Sequence, residues 1–277
     1  MLTNDQFAMD DKQFAKLLEY FNFSWRGYKK VRKGVKKRVA RHMQELDCRN
    51  IDGYMEKLEN DQAIRLTCAH LLTVSISRFF RDRKCWEILQ DNILPGFMEK
   101  EELIIWSAGC AGGEEVYTIK IIWEMLSKEH PHLPFLNLVA TDLNPENLER
   151  SRAGVYKPSS LKEVGQDLKD RFFHKGPGKK SVAVIPKLKN GIIWKVHDLL
   201  KDQPPKNEFD IIFLRNNILT YSLGDLKQAG FLNAVSALSE SGILVIGSKE
   251  RLPEGVTGFD SEKLPYVFLK NRVDFIL

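Results

Sequence analysis

Trp106-Ser-Ala-Gly-Cys-Ala-Gly-Gly-Glu-Glu-Val-Tyr117 joins a predicted apolar strand directly to a predicted helix. Glycines at 109, 112 and 113 allow a tight turn and let a ligand approach the backbone closely. In a dinucleotide site the free helix N-terminus attracts pyrophosphate, but here Glu114 and Glu115 occupy that turn. The alternative is that both acids only complement the helix dipole. The stretch therefore favours a cationic or hydroxyl-rich ligand without phosphate.

The sequence around this turn predicts an α/β fold. After Phe97, short apolar runs alternate with helical stretches, which is typical of a parallel sheet with helices on its faces, as in Rossmann-like folds. The predicted strands are Leu103 to Ser107, Leu136 to Thr141, Ile192 to Val196, Asp210 to Leu214, Gly242 to Gly247, Val267 to Lys270 and Val273 to Leu277. The predicted helices are Glu114 to His130, Pro145 to Ala153, Ser159 to Phe173 and Leu226 to Leu238.

The first part of the chain has a helical pattern instead. Phe14, Leu17 and Phe21 recur at helical spacing, and further helices are predicted at Ile51 to Leu58 and Gln62 to Leu72. The predicted organisation is an all-helical N-terminal domain over residues 1–85 and an α/β domain over residues 86–277. A small β insertion is predicted inside the second domain, from the Gly/Lys-rich stretch at 175–180 to the apolar residues at 182–185.

A basic helix is predicted from Arg26 to Arg41, where nine residues are basic and none is acidic. Val31, Val35 and Val39 form a narrow apolar stripe on this helix. A solvated helix face is the ordinary interpretation of such a run. Unbroken like charge costs helix stability, however, and so favours a surface that docks an anionic partner. An acidic protein fits better than nucleic acid, because no aromatic-rich or recognition-helix pattern accompanies the run.

Two other predicted strands end in polar residues. Asp142 lies at the carboxyl end of its strand, where acids of nucleotide-binding α/β folds take ribose hydroxyls. It could instead cap the helix that begins at Pro145, although Asn144 is better placed for that role. Arg215 and Asn216 follow another strand, and either they belong to the site or they cap the loop. S-adenosylmethionine suits this set, since it has a ribose, an ammonium and a sulfonium but no phosphate.

Composition excludes several classes of protein. The chain of 277 residues has a formal net charge of +5 and ordinary globular proportions of apolar and charged residues. Its four cysteines are far apart and form no C-x-x-C pair, which argues against a disulfide framework and against a zinc site. No secretory signal is expected, and no apolar run approaches the ~20 residues that span a bilayer. A cytoplasmic protein without membrane insertion is expected.

Several motifs resemble those of the chemotaxis-receptor glutamate methyltransferases, the CheR family. They are Ser75-Ile-Ser-Arg-Phe-Phe-Arg-Asp82, the Trp106 to Tyr117 stretch, Ala140-Thr-Asp142, Ser151-Arg-Ala-Gly-Val-Tyr156, Phe209-Asp-Ile-Ile-Phe213 with Arg215-Asn216, and Gly247-Ser-Lys-Glu250. The resemblance covers nearly the whole chain, and the order of the motifs is far more specific than any single one. It implies a class I methyltransferase sheet that uses S-adenosylmethionine and releases S-adenosylhomocysteine.

The resemblance also implies which residues contact the cofactor. By position they are Ser75, Ser77, Arg81, Glu115, Asp142, Asp198, Leu199 and Asn216. Gly109 of the glycine turn and Arg215 complete the predicted cofactor-binding set. The family's Asn and Thr in the first motif are here Ser75 and Ser77, and Asp198 stands where the family often has Asn. These departures shorten one side chain and add one charge, and they are compatible with binding.

Catalytic residues follow from the same resemblance. Arg81 matches the family's catalytic-site arginine. The family's active-site tyrosine aligns without gaps to Thr220, and Tyr221 lies one place later. A one-residue offset in a loop still allows Tyr221 to reach the site, so both residues are candidates.

The resemblance implies that a receptor glutamate is the methyl acceptor and that the basic helix docks an acidic receptor. Two alternatives remain. One is a methyltransferase with the same fold and cofactor that acts on a small molecule or another protein, which the shifted tyrosine favours. The other is a catalytically silent module that binds cofactor and signals, against which Arg81 and Tyr221 argue.

Overall fold

The chain divides into two compact units in the computed structural model, which describes residues 9–261 and 264–271. The helical unit comprises Met1–Val74 and Thr220–Lys227, and the sheet unit comprises Ser75–Leu219 and Gln228–Leu277. The division thus falls after Val74, whereas the sequence placed the boundary between residues 85 and 86. Residues 75–85 belong with the sheet unit because Phe79 is fully buried there, with its ring 4.9 Å from those of Tyr156 and Phe173.

The helical unit is built from short amphipathic helices with well-formed caps. Its helices are α1 (Asp11–Tyr20), α2 (Trp25–Tyr28), α3 (Arg32–Glu45), α4 (Ile51–Asn60) and α5 (Gln62–Leu72). Asp10 and Gln13 form a capping box at α1, and Asn50 and Asp61 cap α4 and α5. The apolar faces of these helices pack into a core that contains Phe14, Leu17, Val35, Val39, Tyr54, Leu58 and Leu72.

The predicted basic helix is interrupted. The run from Arg26 to Arg41 forms the end of α2, a turn, and most of α3. At the turn the Val31 N–H bonds to the Tyr28 carbonyl, three residues back, at 2.9 Å. The Lys29 carbonyl accepts from the Arg32 guanidinium, whereas in a continuous helix it would accept from the N–H of residue 33. The prediction of one helix was wrong, although the apolar stripe at Val35 and Val39 is buried.

His42 lies on α3 but faces the core, and its Nδ1 is 2.8 Å from the Tyr54 hydroxyl. Burial lowers the pKa of His42 below its ordinary value of 6.5, and Glu45 only partly opposes this. The unfolded chain therefore takes up a proton at higher pH than the folded chain does. The free energy of unfolding should be largest above the ordinary pKa and fall as the pH drops below it, by at most about 1.4 kcal/mol per pH unit for one proton.

We expect His42→Gln to flatten this slope between about pH 7 and pH 5, as measured by urea unfolding at a series of pH values. His70→Gln is the matched control, because His70 is exposed on the neighbouring helix α5. Its slope should equal that of the wild type. Identical slopes for His42→Gln and the wild type would contradict the assignment.

Among the residues that the structure describes, seven strands form a sheet at the centre of the sheet unit. Its strands are β1 (Glu102–Ala108), β2 (Phe135–Asp142), β6 (Ile192–Val196), β7 (Phe209–Leu214), β8 (Leu238–Ile246), β9 (Phe259–Ser261) and β10 (Val267–Lys270). Their order is β6-β2-β1-β7-β8-β10-β9, in which the first five are parallel and β10 is antiparallel to β8. The α/β prediction is confirmed, and so is each predicted strand up to residue 270. The predicted strand at 273–277 lies outside the described residues.

Helices connect the strands of this sheet. They are α6 (Arg83–Ile88), α7 (Glu114–Glu129), α8 (Pro145–Ala153), α9 (Gln166–Phe172), α10 (Pro186–Lys189), α11 (Ile218–Tyr221) and α12 (Gly224–Ser236), with 3-10 turns at Leu94–Phe97 and Pro158–Leu161 and a π-helical turn at Leu89–Ile93. The predicted helix from Ser159 to Phe173 is wrong in its first half. The 3-10 turn ends at Leu161, and Gly165, which has an extended backbone, is the N-cap of α9.

A second, three-stranded sheet corresponds to the predicted small β insertion. It consists of β3 (Val155–Tyr156), β4 (Phe173–Lys175) and β5 (Val182–Val184), in the order β3-β5-β4. The stretch between β4 and β5 forms a hairpin loop in which the Gly176 N–H donates to the Ser181 carbonyl at 2.9 Å. The insertion was therefore predicted at the right place, but β3 lies upstream of the predicted range.

Two further observations concern the chain as a whole. All four cysteines are buried and unpaired in disulfides, and burial raises the pKa of the Cys68 and Cys85 thiols to about 12. Within residues 9–261 and 264–271, no helix has the length and apolar character required to cross a bilayer.

Candidate functional site

The predicted site residues of the sheet unit lie at one edge of the large sheet, because each follows or ends a parallel strand. Gly109 follows β1, Asp142 ends β2, and Arg215 and Asn216 follow β7. The strand order reverses between β1 and β7, since the chain extends from β1 through β2 to β6 and then returns to the other side of β1. Open α/β sheets bind ligands at the carboxyl ends of strands beside such a reversal.

The glycine turn is fixed by backbone bonds and by close packing. The N–H groups of Gly109 and Cys110 both donate to the Thr141 carbonyl at 2.8 Å. Gly109 and Gly113 have φ values of 79° and 84°, which glycine adopts without strain. A Cβ on Gly109 would lie 2.5 Å from the Asn217 Nδ2, so this glycine is required by packing as well as by the turn. The sequence predicted the tight turn and the approach of a ligand, but not this packing contact with Asn217.

The two acids at the start of α7 point into different surroundings. Glu114 is buried, and its Oε1 is 3.4 Å from the Ser160 hydroxyl. Its Oε2 has no hydrogen-bond partner among the described residues, and burial raises the pKa of this carboxyl above its ordinary value. Glu115 instead accepts from the Ser107 hydroxyl at 2.7 Å and from Arg215 Nη1 at 2.9 Å. Of the two acids, Glu115 therefore forms a salt bridge with a buried arginine, and Glu114 has none among the described residues.

Asp142 joins the ends of β1 and β2. Its Oδ2 accepts from the Ala111 N–H at 2.8 Å, and its Oδ1 accepts from the Asn144 N–H at 2.9 Å. Burial raises the pKa of Asp142, while these hydrogen bonds oppose the shift. Asn144 is the N-cap of α8, since its side chain accepts from the Glu146 N–H. The capping alternative for Asp142 therefore does not apply.

Asn147 is a site residue that the sequence reasoning missed. Its Nδ2 donates to Asp142 Oδ1 and to the Ser75 hydroxyl, each at 2.8 Å, and its side chain is buried. Ser75 thus lies beside Asp142, although 67 positions separate them in the sequence. Asn147 follows Asp142 by little more than one helical turn, and this short spacing is the sequence feature from which the contact could have been predicted. Ser77 is half-buried in the same segment as Ser75.

Asn216 adopts a left-handed backbone with φ 56°, which a non-glycine residue adopts only when its surroundings fix it. Its N–H donates to Glu250 Oε2 at 2.9 Å, and the Gly247 N–H donates to the same oxygen at 2.7 Å. Glu250 thereby joins the loops after β7 and β8. The motif from Gly247 to Glu250 is part of the family resemblance, but no local sequence pattern indicates this role.

Asp198 and Leu199 follow β6 at the same sheet edge. The Asp198 Oδ1 accepts from the Leu200 N–H at 2.9 Å, and its Oδ2 is 3.5 Å from Lys201 Nζ. The Leu199 carbonyl accepts from Asn233 Nδ2 at 2.9 Å. These contacts order the loop, and the half-buried Asp198 side chain lies in sequence directly after the strand end.

Arg81 has a partly exposed side chain whose Nη1 donates to the Ile76 carbonyl at 3.3 Å. Its own carbonyl accepts from Trp86 Nε1 at 2.9 Å and from Arg215 Nη2 at 3.0 Å. Phe80 and Asp82 on either side have φ values of 53° and 61°. The backbone of Arg81 is therefore held in a sharply defined conformation while its guanidinium extends outward.

Thr220 and Tyr221 belong to the helical unit. The Tyr221 ring packs against that of Tyr28 with centroids 5.0 Å apart, and its carbonyl accepts from the Ser24 N–H at 2.7 Å. A Cβ on Gly27 would lie 2.4 Å from the Thr220 carbonyl oxygen, so α2 contacts this segment directly. Thr220 is half-buried. The geometry within this unit favours neither hydroxyl as the catalytic one.

Comparison with known proteins gives consistent results. Residues 75–268 match the CheR methyltransferase SAM-binding domain. A chemotaxis protein methyltransferase of Listeria innocua is 30% identical over 203 residues, which are 72% of this chain and 74% of the relative. The putative methyltransferase Cher3 of Pseudomonas putida is 25% identical over 236 residues, which are 83% of this chain and 84% of the relative.

Among solved structures, the N-methyltransferase NodS of Bradyrhizobium japonicum in complex with S-adenosyl-l-homocysteine is 19% identical and covers 70% of each chain, with a TM-score of 0.34. The description of the fold therefore rests on the sheet order given above and not on this similarity.

Proposed function

The chain belongs to the CheR methyltransferase family, and from this premise we propose that it methylates glutamate side chains of a chemotaxis-type receptor. The observation that carries the proposal is Arg81. Its guanidinium is partly exposed, bonds to one backbone carbonyl, and forms no ion pair with any residue in 9–261 or 264–271. A partly exposed arginine that has no ion-pair partner among these residues can bind a substrate carboxylate through two parallel hydrogen bonds.

S-adenosylmethionine is the cofactor, and when bound it supplies an electrophilic methyl group. The carboxylates at the sheet edge fit such a ligand, because Glu115 and Asp142 each keep oxygen lone pairs beyond those used within the chain. We assign the ammonium group to Glu115 and the ribose hydroxyls to Asp142. The other proposed cofactor contacts are Ser75, Ser77, Arg81, Gly109, Asp198, Leu199 and Asn216.

The proposed chemistry needs no general base. A glutamate with an ordinary pKa of about 4.3 is already ionised at neutral pH and can attack the methyl group directly. The protein then has to align the carboxylate and exclude water, which is worth several kcal/mol when the reacting atoms are close to attack geometry. In this proposal Arg81 orients the carboxylate, and the hydroxyl of Tyr221 or Thr220 assists.

The basic run supports docking to an acidic partner, but its residues have different roles. Asp11 pairs with Arg32 at 3.1 Å and with Lys36 at 2.7 Å. Arg38 donates to the Leu71 and Thr73 carbonyls at the end of α5, at 3.0 and 2.7 Å. Three exposed cations remain in steps of four along α3, namely Lys33, Lys37 and Arg41, and we call them the docking stripe. We propose that an acidic receptor docks there and that the protein works in the cytoplasm.

Reversal of the docking stripe by Lys33→Glu, Lys37→Glu and Arg41→Glu is expected to lower the rate of receptor methylation about tenfold or more at low salt. The reason is that these charges attract the acidic partner, and salt screens the attraction. The difference from the wild type should therefore shrink as salt is added. Initial rates with a receptor cytoplasmic fragment measure the effect.

The matched control reverses Lys128, Lys157 and Lys162, which are exposed in the sheet unit and change the net charge equally. This control should methylate at close to the wild-type rate. Equal losses in both triple variants would mean that net charge alone acts, and docking on α3 would then be rejected.

The decisive experiment for the acceptor uses labelled S-adenosylmethionine with a receptor cytoplasmic fragment. We expect a methyl ester that base releases as methanol, because glutamate esters hydrolyse readily. A fragment with glutamine at its acceptor positions is the control and should remain unlabelled. Label that is stable to base, or no label at all, would reject the glutamate acceptor.

A second candidate is a methyltransferase with another acceptor, either a small molecule or a different protein. The observation that favours it is Thr220 at the place of the family's tyrosine. A screen of a cell extract with labelled cofactor distinguishes the two candidates, since a labelled product other than receptor would appear in the wild type and disappear in Arg81→Ala.

A further inference from the structure

We infer that Arg215 is a positioning residue that links Glu115 to the segment carrying Arg81. The inference rests on the proposed roles of Glu115 and Arg81. The Arg215 guanidinium donates to Glu115 Oε2 at 2.9 Å through Nη1, and through Nη2 to Asp82 Oδ2 at 2.8 Å and to the Arg81 carbonyl at 3.0 Å. One side chain therefore bonds both to Glu115, which is proposed to bind the cofactor, and to the backbone of Arg81, the proposed catalytic arginine.

Burial confines Arg215 to this role. Only 3% of its side chain is exposed, and its guanidinium lies over the Trp86 ring, 5.4 Å from the centroid. Its three hydrogen bonds use both terminal nitrogens, and its buried Nε has no hydrogen-bond partner among the described residues. Arg215 was predicted to contact the cofactor, and the contacts within the chain favour an indirect effect through Glu115.

The charges of the cluster also connect it to the cofactor. Asp82 and Glu115 are two carboxylates, and Arg215 is one guanidinium, so the three groups together have one net negative charge. A largely buried net charge is unfavourable unless a counter-charge balances it. The ammonium group proposed to bind at Glu115 has the required charge. Occupation of Glu115 would thus change the electrostatic balance that Arg215 shares with Asp82.

The segment around Arg81, at the other end of the cluster, depends on hydrogen bonds to keep its conformation. Phe80 and Asp82 have left-handed φ values, which are unfavourable for residues with a side chain. The Phe80 N–H donates to the Thr118 hydroxyl at 3.1 Å, and the Ser248 hydroxyl donates to Asp82 Oδ1 at 2.9 Å. With Arg215 these contacts hold the backbone on both sides of Arg81. Loss of the link at Asp82 should therefore misplace Arg81 without removing Glu115 from its own partners.

The experiment separates the two ends of the link. In Asp82→Asn, Glu115 keeps both Ser107 and Arg215, and the Arg81 side chain is displaced but not removed. The Kd of S-adenosylhomocysteine should therefore stay within about threefold of wild type. The kcat of receptor methylation should fall about tenfold or more, because a misplaced catalytic group is costly. Ser248→Ala removes a single bond to Asp82 and should give the same pattern more weakly, which covers the case in which Asp82→Asn does not fold.

Arg215→Lys should affect both ends, since a lysine cannot fork between Glu115 and Asp82. We expect the Kd of S-adenosylhomocysteine to rise about tenfold, with kcat reduced at least as much. Arg83→Lys is the matched control, because Arg83 is exposed on α6 and pairs with Glu87 alone. It should leave both quantities unchanged. A rise in Kd for Asp82→Asn equal to that for Arg215→Lys would overturn the inference, as would unchanged Kd and kcat in folded Arg215→Lys.

Failure of the proposed acceptor would be recognised separately. Binding of S-adenosylhomocysteine involves no acceptor, so the effect of Arg215→Lys on Kd tests the Glu115 end in any case. Hydrogen exchange tests the other end, because bound S-adenosylhomocysteine should slow exchange at residues 79–87 in the wild type and not in Asp82→Asn. The same protection in both proteins would overturn the link even if no receptor fragment is methylated.

Discussion

Arg81→Ala should lower the kcat of receptor methylation about a hundredfold and raise the Kd of S-adenosylhomocysteine by less, because Arg81 is proposed both to orient the acceptor carboxylate and to be one of several cofactor contacts. Loss of one preorganised donor at a reacting group typically costs a factor of about 100 to 1,000. The side chain gives little to stability, because its guanidinium makes one long hydrogen bond to the Ile76 carbonyl and remains partly exposed. The melting temperature of the variant should therefore stay close to that of the wild type.

Arg78→Ala is the matched control for this prediction. Arg78 lies three residues earlier, is exposed, and pairs with Glu163 at 3.6 Å. Its removal should leave kcat within about twofold of the wild type, since exposed ion pairs contribute little. Arg81→Lys keeps the charge but loses the planar fork, so its kcat should lie between those of the wild type and Arg81→Ala. Equal rates for Arg78→Ala and Arg81→Ala would remove Arg81 from the proposed mechanism.

The elements that sequence patterns predicted well are those whose periodicity is set by burial. Strand β10 and helix α5 have the predicted bounds because apolar residues mark their buried faces, and α8 has them because Asn144 and Gly154 cap its ends. Asn144 before Pro145 is such an end, and the chain does form a helix there. Local chemistry alone is sufficient in these cases.

The failures have causes that a local pattern does not contain. The basic helix was predicted to be continuous from Arg26 to Arg41. It is interrupted where the Tyr28 carbonyl accepts from the Val31 N–H and the Lys29 carbonyl accepts from the Arg32 guanidinium, and residue spacing does not reveal such bonds. Phe79 is buried against Tyr156 and Phe173, which are distant in sequence, so the extent of the sheet unit could not be read from residues 75–85.

The candidate site shows the same limit. The positions of Asp142, Arg215 and Asn216 at strand ends could be predicted, because parallel strands bring their carboxyl ends to one edge. The partners of these residues could not be predicted. Arg215 pairs with residues 100 and 133 positions away, and Asn216 depends on Glu250, whose contacts form only when the strands are assembled.

Asp142→Asn should raise the Kd of S-adenosylhomocysteine about a hundredfold, equal to about 2.7 kcal/mol. The carboxylate is proposed to accept two ribose hydroxyls, and hydrogen bonds to a charged acceptor are each worth about 1.5–3 kcal/mol. It also accepts from the Ala111 N–H and from Asn147 Nδ2. An asparagine amide would turn its NH2 group toward one of these donors, so the end of the glycine turn would also lose support.

The pH dependence gives an independent test of Asp142. Burial raises its pKa above the ordinary value of 3.8, so acidification should protonate it and weaken binding at a higher pH than for an exposed aspartate. In Asp142→Asn this part of the weakening of S-adenosylhomocysteine binding at low pH, the acid limb of the pH profile, should be absent. Calorimetric titration of S-adenosylhomocysteine at a series of pH values provides the measurement.

Asp91→Asn is the control, because Asp91 is exposed in the π-helical turn after α6. It makes the same chemical change and should retain the wild-type Kd and acid limb. Thermal unfolding without ligand shows how much of the Asp142→Asn effect is a loss of stability, and the added shift with ligand reports binding alone. If Asp142→Asn binds S-adenosylhomocysteine as tightly as Asp91→Asn does, the ribose assignment is wrong, and Asp142 serves only to hold Ala111 and Asn147 in place.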